Sequence, residues 1–290
     1  MSTETDVPLV SVAMPIYNEE KHLKEALESI LNQDYPNLEI VISDNHSTDG
    51  TASICKEFAQ KDVRISYHRQ DKNIGVGSNF VYLTRIAHGE FFMWASGHDK
   101  WSSNLISESV RLLESHKTVT IAFGTPIWVM ENGASFKKYS GWYDTRGLNS
   151  IARFFMVFWG SMNPILGVFR RTNILDISNY NFVGADLVIL CELALKGEFA
   201  HAEKAYFFRR QNRALENHNQ RMKRYASGNM QITNSWLSRL FPLAKLPLEL
   251  LRVIVQSQLG LLEKICLISL LLPSMPIKYF FARIDSNLKK

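Results

Sequence analysis

Between residues 8 and 123 the chain switches repeatedly between two hydrophobic periods, and few folds accept that alternation. "LVSVAM" (9–14), "LEIVIS" (38–43), "VRISYH" (63–68), "EFFMWA" (90–95) and "TVTIAF" (118–123) read as short buried strands. Between them apolar residues fall at helical spacing. Leu23, Ala26, Leu27, Ile30 and Leu31 form one stripe, Ile54 and Phe58 mark a second helix, and another is predicted near 104–115. Gly89 is positioned to end the third helix as a left-handed C′ residue. Strand, helix, strand in this repeated order predicts an α/β fold with a mostly parallel sheet covered on both faces. Further on, the pattern predicts a helix at about 148–158 and a short strand in "ILGVFRR" (165–171). A helix with Leu187, Leu190, Cys191, Ala194 and Leu195 on one face follows, then a last strand in "AYFFRR" (205–210).

With 290 residues, 46% hydrophobic and 21% charged, the chain can bury a real core in one large domain with an appendage. Cys55, Cys191 and Cys266 are odd in number and widely spaced, with no CxxC pair, so neither a disulfide framework nor a structural zinc site is expected. A reducing cytoplasm fits. The opening "MSTETDVPLV" lacks the basic and apolar regions of an export signal.

The net charge of +5 gathers late in the chain. Arg209, Arg210, Arg213, Arg221, Lys223 and Arg224 form one basic group, and Lys278, Arg283, Lys289 and Lys290 another. Such clusters suit an anionic partner or a solvated basic face. No nucleic-acid recognition motif accompanies them, so no nucleic-acid partner is expected. Residues 213–240 read as a basic linker or lid, and 241–290 as an amphipathic helical segment. The charge-free run Ile265–Ile277 is too short and too rich in proline to span a bilayer, which takes about 20 apolar residues. Helices lying on a membrane surface or packing on a partner fit it, and an ordinary helical cap on the domain is the plainer alternative.

In parallel sheets, ligands bind beyond the carboxyl ends of the strands. Here those ends carry "PIYNEE" (15–20), "DNHSTDGT" (44–51), "RQDKNIGVGSN" (69–79) and "SGHD" (96–99). Asn and Asp are delivered repeatedly to one sheet edge, beside glycines and helix N-termini that can face phosphates. That composition suits a nucleotide diphosphate, although "GVG" is not a phosphate loop of the usual spacing.

The stretch "VSVAMPIYNEEKHLKEALESILNQDYPNLEIVISDNHSTDGT" resembles the opening of the family 2 glycosyltransferases, which have the GT-A fold. The likeness continues in the family's order through "NIGVGSN", "GEFFMWASGHDKW", "NPILGVFRR" and "GADLVILCELALKGEFAHAEKAYFFRR", covering roughly residues 8–212. It implies a GT-A glycosyltransferase domain over 1–212, a Rossmann-like sheet flanked by helices, with a C-terminal helical extension.

The resemblance also implies roles. Pro15, Tyr17, Glu19 and Asp44 would hold the nucleoside, and Asn73 would lie near the nucleotide. Ser96-Gly97-His98-Asp99 matches the family's acidic metal motif, with His98 where an Asp is usual. Asp99 would bind Mg²⁺ or Mn²⁺, which one carboxylate and two phosphates can hold. His98 would bind the nucleotide sugar or support the site by a hydrogen bond, with metal ligation as the alternative. Asp186 matches the catalytic acidic residue before a Leu-rich helix, although Ala185 stands where relatives often have Glu. An acid in a first helical turn is expected to stay ionised, as a general base must be.

The implied activity is inverting, metal-dependent transfer of a sugar from a nucleotide-diphosphate donor to an acceptor hydroxyl. The processive Gln-x-x-Arg-Trp motif is absent, so one sugar per acceptor is expected. The acceptor would be a glycan or a lipid-linked molecule in surface polysaccharide or glycolipid synthesis. The protein would be cytoplasmic, with membrane-surface contact through 241–290. The thinned motifs at Ser96–Asp99 and Ala185 motivate a rival: a non-catalytic nucleotide-sugar or partner-binding protein derived from this fold.

Overall fold

A computed structural model describes residues 7–131, 133–136, 144–175, 182–211, 220, 243 and 245–288. Nine strands among the described residues form one sheet: β1 (Val10–Ile16), β2 (Leu38–Asp44), β3 (Ile65–Arg69), β4 (Phe91–Trp94), β5 (Lys100–Trp101), β6 (Val119–Val129), β7 (Ser135–Phe136), β8 (Val168–Arg170) and β9 (Glu198–Arg210). Their order is β3-β2-β1-β4-β8-β6-β9-β5, with β7 paired to β6. β3, β2, β1 and β4 run parallel, β8 is antiparallel to β4 and β6, and β6 and β9 form a second parallel pair. Eight helices complete the described fold: α1 (Leu23–Leu31), α2 (Thr51–Lys61), α3 (Val76–Ile86), α4 (Leu105–Ser115), α5 (Ser150–Trp159), α6 (Ala185–Lys196), α7 (Lys245–Gln256) and α8 (Leu261–Leu288).

Alternation along the strands divides the core between the two faces. Val10, Val12 and Met14 of β1 pack with Leu23, Leu27 and Ile30 of α1, Cys55 of α2, and Leu105 and Leu113 of α4. Ala13, Phe92 and Trp94 face the other way, against Leu83 of α3, Phe154 and Phe158 of α5, and Leu190 of α6. Leu250, Val253 and Ile254 of α7, with Leu267 and Leu271 of α8, belong to this second core. The C-terminal segment is thus packed on the domain. Among the described residues no helix is long and apolar enough to cross a membrane, although α8 continues through Pro273 and Pro276.

Register brings the strand ends level: Ile16 lies opposite Asp44, and Asp44 opposite Arg69. The expected strand beginning at Val63 starts instead at Ile65, and Val63 is fully exposed. Gly89 has no positive φ. It is needed for close approach, since a Cβ there would lie 2.6 Å from the backbone N of Ser11 and the carbonyl O of Phe91. The three cysteines are unpaired. The basic linker or lid over 213–240 lies outside the described residues apart from Gln220.

Candidate active site

The site is assembled by loops that leave the carboxyl ends of β1, β2, β4 and β9. Asp44, the last residue of β2, is fully buried. Its Oδ1 accepts the backbone N–H of Ser47 at 2.8 Å and its Oδ2 accepts the Tyr67 hydroxyl at 2.8 Å, with Arg69 Nε 3.7 Å away. Ser47 Oγ in turn accepts the backbone N–H of Asn18 at 3.0 Å, which joins the loop after β2 to the loop after β1. Asn18 holds a positive φ of 54° there, a conformation Asn tolerates better than most residues. Pro15 is half-buried near the end of β1, and Tyr17 is 45% exposed.

Glu19 carries the connection onward. Its backbone N–H donates to Thr51 Oγ1 at 2.8 Å, and its carboxylate lies 2.8 Å from Nδ1 of His98. Gly97 permits the contact, because a Cβ there would meet Glu19 Cγ at 2.8 Å. Burial pushes the His98 pKa down, but the Glu19 hydrogen bond and the charges of Glu19 and Asp99 prevail against it and against Arg209. The net shift is upward.

Asp99 is 2% exposed, and its Oδ1 accepts the backbone N–H of Arg210 at 2.8 Å. The Arg210 guanidinium returns to the same loop, donating from Nε to the carbonyl of His98 at 3.1 Å and from a terminal nitrogen to Glu25 at 2.6 Å. Neighbouring Arg209 lies over the Trp128 ring, 5.0 Å from its centroid, and donates to Asn163 Oδ1. Arg209 acts electrostatically on both His98 and Asp186. In both cases its positive charge favours a lower pKa.

Asp186 occupies the first turn of α6, behind the Gly184 N-cap at φ 92°. It makes no hydrogen bond among the described residues. Its accessible surface and its electrostatic surroundings point in different directions. The side chain is exposed, yet surrounding protein desolvates it enough to raise its pKa, opposed by Arg209. Desolvation outweighs the favourable field of the helix N-terminus, so the pKa shifts upward.

Asn73 is committed to its turn, with Oδ1 accepting the backbone N–H of Gly75 and the Asn45 side-chain amide, both at 2.9 Å. Asp44, Glu19, His98 and Asp99 thus join in one hydrogen-bonded series, and Asn73 joins it through Asn45; among the described residues no hydrogen bond ties Asp186 to that series. Sequence reasoning missed Trp128, Asn163 and Glu25. Trp128 lies where β6 continues past Gly124 and Pro126, residues that read as the end of a strand.

Among the described residues no group of three His, Cys, Asp or Glu side chains could hold a metal alone. The donor set still fits a hard cation that takes most of its ligands from phosphates and water. Asp99 Oδ2 accepts no hydrogen bond among the described residues, and Ser96 Oγ in the same loop is buried without a partner.

Known proteins resemble this chain in sequence and in fold. An uncharacterized glycosyltransferase of Methanocaldococcus jannaschii is 33% identical over 141 residues, 48% of this chain and 49% of that one. The minor teichoic acid biosynthesis protein GgaB of Bacillus subtilis is 32% identical over 123 residues, 42% of this chain and 14% of GgaB. This chain spans about half or less of the length of these curated relatives. Among solved structures, S. aureus TarS 1–349 in complex with UDP-GlcNAc superposes with a TM-score of 0.64 at 19% identity, over 89% of this chain and 70% of that one. The mannosyltransferase PcManGT of Pyrobaculum calidifontis, in complex with GDP-Man and Mn²⁺, gives 0.55 at 17% identity, over 98% and 87%. These neighbours share the GT-A fold with this chain. The profile of glycosyl transferase family 2 matches residues 11–171, more than half the sequence, and with the loops after β1, β2 and β4 inside that span, the chain belongs to this family.

Proposed function

We propose that the protein is an inverting glycosyltransferase that moves one sugar from a nucleotide-diphosphate donor to an acceptor hydroxyl. The observation that carries this reading is the hydrogen bond from the Arg210 backbone to buried Asp99, at the end of a strand whose Arg209 is held by Trp128 and Asn163. The positive charge of Arg209 also opposes the burial that raises the Asp186 pKa. Asp186 removes the acceptor proton; burial raises its pKa, which makes its ionised form a stronger base. The acceptor oxygen then attacks the anomeric carbon from the face opposite the diphosphate. Mg²⁺ or Mn²⁺ held by Asp99 and the donor phosphates would neutralise charge on the departing group. The PcManGT complex with Mn²⁺ supports that cofactor class, and the TarS and PcManGT complexes support a nucleotide-sugar donor. Arg209, fixed by Trp128 and Asn163, adds a preorganised positive charge.

Pro15, Tyr17, Glu19, Asp44 and Asn73 are assigned to the nucleoside side of the site. Tyr17 offers exposed surface for direct contact, while Asp44 and Asn73 would act by fixing their loops. His98, tied to Glu19, supports the donor's phosphates from the edge of the acidic loop. Residues 1–212 are taken as the catalytic domain, 213–240 as a basic linker or lid, and 241–290 as a helical segment through which the protein touches the cytoplasmic face of a membrane. The resemblance to GgaB supports a surface polysaccharide or glycolipid acceptor. Product analysis by NMR tests the reading: inversion at the anomeric carbon with a divalent ion supports it, and retention of configuration overturns it. Donor binding with no turnover on any glycan or lipid-linked acceptor would favour the non-catalytic alternative.

A further inference from the structure

Helix α8 inverts the usual arrangement of a surface helix. Leu267 and Leu271 are buried against the domain. The charged residues of the stretch 261–281 also turn back toward the protein. Glu263 accepts the Ser150 hydroxyl at 2.8 Å, Lys264 donates to the carbonyl of Val255 at 2.8 Å, and Lys278 donates to the carbonyl of Phe158 with its amine 5.0 Å from that ring's centroid. Outward there remain Leu261 (74% exposed), Leu262 (82%), Ile265, Leu272, Phe280 and Phe281, with no charged side chain between Ile265 and Ile277. Trp159, the last residue of α5, is exposed with its ring centroid 5.7 Å from the Lys278 amine, and Met162 soon after it is exposed too. A contiguous apolar face of this kind on a water-soluble domain marks a contact surface.

Charge selects the occupant. Residues 213–290 carry 12 Lys and Arg against 4 Asp and Glu, a net charge of +8, whereas residues 1–212 carry 21 against 24, a net charge of −3. Twofold pairing of the face with a second copy would bring two strongly cationic segments together. An anionic leaflet accepts the apolar side chains and neutralises the same charge. Met162 directly precedes Asn163, which accepts a hydrogen bond from Arg209, and Leu246 at the start of α7 packs at Gly184, the N-cap of the helix bearing Asp186.

We propose that the uncharged outer face of α8, together with Trp159 and Met162, docks this protein on an anionic lipid surface. The proposal deepens, and rests on, the membrane contact assigned above to 241–290, and it extends that contact onto α5.

Flotation of the full chain with phosphatidylglycerol-rich vesicles and with neutral phosphatidylcholine vesicles tests it. Binding is expected to favour the anionic vesicles by about tenfold or more and to weaken as salt rises. The double variant Ile265→Glu/Leu272→Glu, exposed on both counts, is expected to lose at least about tenfold in partitioning with an unchanged melting temperature. Trp159→Ser is expected to weaken binding by a smaller factor. Failure of the wild type to float, equal flotation of the double variant, or a dimer that this variant converts to monomer would each overturn the proposal. Turnover with a water-soluble acceptor separates this from the enzyme reading. Turnover retained by a protein that does not float sinks only the docking surface, and flotation without turnover sinks only the enzymatic assignment.

Discussion

The backbone N–H of Arg210 donates to Oδ1 of Asp99 at 2.8 Å, so the last residue of β9 fixes the one acid in the loop after β4. The bond uses a main-chain group, and substitution of the Arg210 side chain leaves it available. What the side chain adds is the bond to the His98 carbonyl and the ion pair with Glu25.

Arg210→Lys is therefore expected to loosen the loop without deleting the Asp99 anchor. Half of the Glu25 side chain is exposed, so the ion pair contributes little and the buried carbonyl bond dominates. A loss of about 1–3 kcal/mol in urea unfolding is expected, with weaker Mn²⁺ binding read by electron paramagnetic resonance. Asp99→Asn should behave in the opposite manner, with the fold retained and Mn²⁺ binding lost. Equal Mn²⁺ affinity in Asp99→Asn and wild type would remove Asp99 from the metal site.

Asp186→Asn separates stability from chemistry. Burial raises the Asp186 pKa against the opposing charge of Arg209, so the folded protein favours its protonated form. A raised folded pKa contributes stability that is present below the unfolded pKa and lost as pH rises through the folded one. Once ionised, the carboxylate is a cost, and the neutral amide is expected to hold or raise the melting temperature. Turnover is expected to fall about 10²–10⁴-fold with donor binding intact. A variant within a few-fold of wild-type turnover, with calorimetry showing normal donor binding, would show that Asp186 is not the base.

Gly97→Ala tests the contact between the loops after β1 and β4. The added Cβ would meet Glu19 Cγ at 2.8 Å and Ile16 Cγ2 at 3.2 Å. A destabilisation of about 1–3 kcal/mol is expected from overpacking. Separation from Glu19 leaves burial, the first influence on His98, less opposed, so the His98 pKa is expected to fall. Histidine resonances titrated by NMR give the answer, and an unmoved His98 would mean that the Glu19 contact does not set its charge.

The parallel half of the sheet was legible because its strands are short, continuous apolar runs bounded by amphipathic helices. β1 and β2 fall within two residues of their predicted limits, and α1 buries Leu23, Ala26, Leu27 and Ile30 of its predicted stripe, with Leu31 partly exposed. The later strands were underread for a physical reason. β6 runs on to Val129 through Gly124 and Pro126, and the ladder absorbs them with an irregularity at Gly124/Thr125. Opposite this point, β9 slips from Ala202 to Tyr206, so Glu203 and Lys204 interrupt its hydrophobic pattern. That same irregular pairing sets Trp128 beside Arg209. Local periodicity cannot reveal such a pair, because it exists only where two distant strands meet. Asp44, Asp99 and Asp186 were visible as residue types at strand and helix ends, whereas their linkage through Ser47, Glu19, Arg210 and Arg209 required the tertiary fold.

Arg209 supplies the sharpest test of that linkage. Its charge opposes the burial that raises the Asp186 pKa. Arg209→Gln removes the opposition, and the Asp186 pKa is expected to rise further. Since a general base acts when unprotonated, activity falls as pH drops through this pKa, and the acid limb of kcat/KM must move to higher pH. Arg209→Lys keeps the charge while losing the planar fork that rests on Trp128 and bonds Asn163. It is expected to hold the position of the limb and to lower kcat/KM at every pH. Direct participation of Arg209 in donor binding alone would depress both variants evenly across the profile. A limb that stays in place in Arg209→Gln therefore shows that the guanidinium does not govern the carboxyl, whatever the loss in rate.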